Sequence, residues 1–137
     1  MAPLIECVRV PIAGKTDVAR ARRAVRSAAT RIGFSGDDIE VVCLVVAELG
    51  SNLVRYASGG WIDIVPLGLP RGFGLQIESR DHGPGIPDLD AALRDGFSTG
   101  GGLGGGLPGV RRMMDDFEIS SEPAGTILVC RKWLRKA

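Results

Sequence analysis

Three groups of residues in this chain have types and spacings that suit chemistry. Glu48 and Asn52 lie four apart in a stretch whose apolar residues Ile39, Val42, Cys43, Val46, Leu49 and Leu53 recur at helical spacing. On a helix the two project from one face, where they need partners, either water at a solvated edge or a ligand. Asp81-His82-Gly83-Pro84-Gly85-Ile86 follows directly on a strand-like run. An Asp held there can accept a hydrogen bond from an exocyclic amine while the glycines let a flat base approach the backbone; the same residues also make a plain turn. Between Gly96 and Gly109, eight of fourteen residues are glycine. So dense a run costs folding entropy that core packing does not offset, and it suits backbone N–H groups cradling a phosphate. A solvated linker is the alternative. Leu103 and Leu107, which interrupt the run, and Pro108, placed to open a helix, speak for the phosphate.

Other matches fail on inspection. Gly14-Lys15-Thr16 imitates the end of a P-loop, but Arg9 stands where that motif needs glycine. Gly104-x-Gly106-x-x-Gly109 spells a dinucleotide fingerprint inside a run where chance nearly guarantees it, and it follows a long loop rather than a buried strand. The lysine, HRD and DFG elements of eukaryotic-type protein kinases are absent. His82 receives no role.

The elements that must position these groups read as follows. Residues 4–12 form a strand. Asp17 caps a helix to about Ile32, stopped by Gly33, and Ser35 to Asp38 offers a capping box for a second helix over 39–57. Residues 61–67 and 73–79 form a hairpin; 81–106 is irregular, with a short helix at 88–94. A third helix at 108–116 precedes closing strands at 117–121 and 126–134. This order predicts a two-layer α/β sandwich, an antiparallel-rich mixed sheet with helices on one face.

The 137 residues suit a single domain over 1–137, and 24% charged with 45% apolar residues is ordinary for a globular protein. A net charge of +1 provides no field for nucleic acid or an anionic membrane. Cys7, Cys43 and Cys130 are odd in number, widely spaced and in apolar surroundings, which reads as reduced thiols of a cytoplasmic protein. Against this balance the first helix carries Arg20, Arg22, Arg23, Arg26 and Arg31. They make either a solvated face or a dock for an acidic protein partner.

Taken in order, Glu48-Leu-Gly-Ser-Asn52, Asp81-x-Gly83-x-Gly85, Gly102-x-Gly104-x-Gly106 and Gly125-Thr126 resemble the motifs of the Bergerat (GHKL) ATP-binding fold. Type II topoisomerases, MutL proteins, heat-shock chaperones and histidine kinases share it. The resemblance runs from about residue 4 to 134. The short length is similar to the anti-sigma-factor serine kinases. Arg55-Tyr56-Ala-Ser-Gly-Gly60 and the stretch from Asp95 to Glu118 resemble the stressosome switch kinases.

The resemblance implies roles. Asn52 ligates Mg²⁺ bridging the phosphates of ATP, and Glu48 is, or positions, the general base. Asp81 binds the adenine amine with Thr126 nearby, while Gly83, Gly85 and Ile86 shape the base pocket. Ser98, Thr99, Gly100, Gly101, Gly102, Leu103, Gly104, Gly105 and Gly106 form a lid over the phosphates that is mobile without nucleotide, and Arg55 touches phosphate or lid. The family pattern has a leucine where Gly105 stands, so this lid lacks an apolar anchor. The implied activity is ATP-dependent serine/threonine phosphorylation of STAS-domain proteins, followed by release to activate a PPM-type phosphatase. The alternative is an anti-sigma factor that sequesters a sigma factor and phosphorylates its STAS antagonist.

Overall fold

The computed structural model describes residues 6–57, 59–68, 70–83 and 106–135. Strand β1 (Val8–Ile12) leads to α1 (Lys15–Ile32) and α2 (Gly36–Tyr56). Then come β2 (Gly60–Leu67), β3 (Gly74–Arg80), α3 (Gly106–Met113), β4 (Asp116–Glu122) and β5 (Gly125–Trp133). The expected short helix at 88–94 lies outside the described residues.

The helix ends shift from expectation for reasons that the hydrogen bonds supply. Helix α1 begins before Asp17, because Gly14 occupies the cap and Asp17 sits a turn inside. Its carboxylate reaches back to accept from Ala13 N at 2.8 Å and Gly14 N at 3.2 Å. The Ala13 bond chiefly holds the Asp17 carboxyl below its ordinary pKa. Ser35 caps α2 as expected, its Oγ accepting from Asp38 N at 3.2 Å. The helix therefore starts at Gly36, three residues earlier than the apolar pattern suggests, with Asp37 and Asp38 in a first turn that favours negative charge. Helix α3 starts at Gly106 and ends at Met113. Pro108 thus lies inside the first turn, where its missing N–H still costs nothing.

Among the described residues the sheet order is β1-β2-β3-β5-β4 with all four pairings antiparallel, in keeping with the antiparallel-rich sheet expected. Alternation sorts its side chains by face. Val10, Ile12, Ile62, Ile64, Leu75, Ile77, Leu128 and Cys130 are buried against the helices. The small buried positions Ala21, Val25, Ala28 and Ala29 of α1 join Val42, Val45, Val46, Leu49 and Leu53 of α2 in the same core. The opposite face carries charged and polar pairs: Arg9 on Asp63 through two bonds at 2.8 and 2.9 Å, Arg80 on Glu78, and Arg131 donating to the neutral amide oxygen of Gln76. An antiparallel sheet can face water in this way on one side. Among the described residues no helix is long and apolar enough to cross a membrane.

Candidate nucleotide site

Asp81 leaves the end of β3 and is fixed by backbone. Its N–H donates to Thr126 O at 3.1 Å. Its Oδ1 accepts from Gly83 N at 2.8 Å and from Thr126 N at 3.3 Å. The turn reading holds: an Asx turn fixes the carboxylate, and Oδ2 takes no bond from the described residues. Thr126 stands beside Asp81 as expected, its hydroxyl 2.8 Å from that of Ser121.

Two glycines make this corner possible. A Cβ on Gly125, whose φ is +146°, would lie 2.2 Å from Asp81 O, so only glycine lets β5 pass there. A Cβ on Gly83 would lie 3.1 Å from Ala57 Cα. The Asp81 turn therefore rests on the C-terminal end of α2, the helix that carries Glu48 and Asn52. Sequence reading did not mark Ala57; a small residue five positions past Asn52 was the available signal.

On α2, Glu48 is buried at 5% exposure and Asn52, one turn on, is half-buried. Between them Gly50 packs against α1: a Cβ there would lie 2.9 Å from both methyls of Val18. The first turns of α1 thus lie directly against the Glu48–Asn52 turn, a contact the sequence signalled only by a glycine inside a helical pattern. Asn52 offers a hard oxygen donor, which suits Mg²⁺ shared with phosphates and water. Among the described residues no group of three or more His, Cys, Asp and Glu could hold a metal ion by itself.

Arg55 is exposed, with its guanidinium 5.7 Å from the ring centroid of Tyr56. Gly106 opens α3 with φ 68°, and Leu107, Pro108, Gly109 and Val110 are buried, with α3 packed against α2. Gly85, Ile86, Ser98, Thr99, Gly100, Gly101, Gly102, Leu103, Gly104 and Gly105 lie outside the described residues. A recess of about 220 Å³ backs Asp81 on the open face of the sheet, lined by Trp61, Arg80, His82 and Glu122. His82 there is exposed and tilts against Trp61 at 5.4 Å.

Residues 13–132 match the model of the histidine kinase-like ATPase domain. The chain is 42% identical over 130 residues to the serine/threonine-protein kinase RsbT of Bacillus subtilis (strain 168), covering 94% of this chain and 96% of that one. In fold it is similar to the RsbU and RsbW domains of Rv1364c from Mycobacterium tuberculosis. That match has a TM-score of 0.68 and 16% identity, and spans 97% of this chain and 34% of that one. A structure of the SiaB–SiaC complex from Pseudomonas aeruginosa matches with a TM-score of 0.57 and 13% identity, over 93% and 89% of the respective chains. The chain belongs to the histidine kinase-like ATPase domain family and, within it, to the RsbT-type serine/threonine-protein kinases.

Proposed function

We propose that this kinase works in a partner-switching pathway, moving a phosphoryl group from ATP to a serine or threonine of a STAS-domain protein, and that its release from that protein frees it to activate a PPM-type phosphatase. The identity to RsbT across nearly the whole of both chains carries the reading. Its neighbours in fold are consistent with it, one containing RsbU and RsbW domains and one solved as a SiaB–SiaC complex.

In this reading Asp81, its Oδ1 held by Gly83 and Thr126, offers Oδ2 to the adenine amine. Gly83, Gly85 and Ile86 border the base. Glu48 orients the acceptor hydroxyl and takes its proton, and burial keeps competing water from that carboxylate. Asn52 holds the Mg²⁺, which supplies neutralisation of phosphate charge when bound. The run from Ser98 to Gly106 covers the phosphates and ends on the amide-rich start of α3. Phosphoryl transfer asks little more of a protein than such positioning and charge stabilisation. The exposed arginines of α1 serve as the dock for an acidic partner. Arg20 is paired with Asp17 at 3.1 Å and Arg26 with Glu40 at 2.8 Å, while Arg22, Arg23 and Arg31 have no ion pair among the described residues.

The test is transfer of label from γ-labelled ATP to a STAS-domain protein. Wild type labels it, while Glu48→Ala falls by about 10²-fold or more and still binds ATP. Binding without transfer by wild type to any STAS protein tried overturns the kinase reading. Capture of a sigma factor in place of a STAS protein or phosphatase selects the anti-sigma alternative.

A further inference from the structure

Lys132 is the buried cation among the described residues, 7% exposed on the helix-facing side of β5. A lysine is rarely buried without partners, because withdrawing its charge from water is costly. Here Nζ donates to the carbonyl of Met113, at the C-terminal end of α3, at 3.1 Å. The same Nζ lies 3.8 Å from Asp38 Oδ1 in the first turn of α2. One ammonium thus joins β5, the negative end of α3 and a carboxylate at the start of α2.

Stability alone does not account for this arrangement. A buried ion pair replaced by an apolar side chain of similar volume is often neutral or stabilising. An ordinary helix end is satisfied just as well by an exposed lysine. What the buried position adds is a fixed point. Helix α3 has eight residues and is therefore about 12 Å long. Its far end is Gly106, within the glycine run, and its buried side rests on α2. Apolar contacts between two helices tolerate small axial slides; a directional bond at one end does not.

We propose that Lys132 is a positioning residue: by clasping the end of α3 to the start of α2, it sets where the first amides of α3 stand relative to Asn52, and so governs grip on the phosphates of the nucleotide. The inference rests on the nucleotide site described above. It assigns Lys132 to the phosphate end of that site and leaves the base end, held by Asp81 and Thr126, independent of it.

The experiment compares two probes on the full chain, ATP–Mg and adenosine, by calorimetry. Adenosine reads the Asp81 corner alone. Lys132→Met removes the bond and the charge at similar volume. It is expected to weaken ATP roughly tenfold, as loss of a charge-assisted hydrogen bond would, and to leave adenosine within about twofold. In turnover the KM for ATP rises while kcat changes little. Asp38→Asn, at a partly exposed position, keeps the bond to Met113 and is expected to show a smaller loss of the same kind. It decides the matter should Lys132→Met not fold. ATP binding equal to wild type, or equal losses for ATP and adenosine, overturns the proposal and leaves Lys132 a structural residue. Failure of wild type itself to bind ATP would instead remove the nucleotide reading and this inference with it.

Discussion

The Asp81 corner and the helix pair beside it both depend on a glycine in tight contact, but the contacts differ in kind. At Gly125 an added Cβ would meet the carbonyl oxygen of Asp81 at 2.2 Å, backbone against backbone, at a φ of +146°. At Gly50 it would meet the two methyls of Val18 at 2.9 Å, backbone against side chain, in ordinary helical conformation. The first leaves no atom free to retreat. The second involves a β-branched side chain that is stiff but removable. The Asp81 corner is therefore set by strand pairing, and the Glu48–Asn52 turn by helix packing against a side chain.

That contrast can be broken experimentally. Gly125→Ala should cost about 3 kcal/mol or more, combining a strained φ with a backbone clash, and adenosine binding should vanish with it. No side-chain change should restore it; a suppressor that does so would contradict the account. Gly50→Ala should cost about 1–3 kcal/mol and slow transfer by shifting the Glu48 turn. Here Val18→Ala in the same chain should recover most of the loss, and a double-mutant cycle measures the coupling. Without recovery, α1 does not set that turn through Val18.

A smaller effect concerns the core beneath both regions. Burial pushes the Cys130 thiol up to about 12, and Cys43 is raised for the same reason. The folded state thus favours the neutral thiol. Its contribution is fully present below the unfolded pKa, near 8.5, and is lost as pH rises from there towards 12. Thermal melts across that range should decline less steeply in Cys130→Val. At pH 8 a thiol reagent should label exposed Cys7 alone in the native protein and all three cysteines after unfolding. Labelling of Cys130 in the native state would show that the sheet–helix interface opens.

Much of this was legible in residue order. The Glu48–Asn52 spacing and the Asp81 turn after a strand were visible because helix and strand periodicities place side chains without knowledge of the rest of the fold, whereas the Gly125-Thr126 pair was marked only by the family resemblance. Helix starts were less so: Asp17 and the apolar run after Ser35 each suggested a start two or three residues late. Cap geometry depends on which N–H a carboxylate actually reaches.

The sequence by itself determined which residue types could meet a nucleotide and in what order, together with the alternation that buries one face of the sheet. Only the tertiary structure decided what lies against what. It brought Gly83 onto Ala57, Val18 onto Gly50, and Lys132 between Met113 and Asp38. The reason is physical: periodicity is a local property of the chain, whereas close approach between elements distant in sequence follows from packing the whole core, which no single segment specifies.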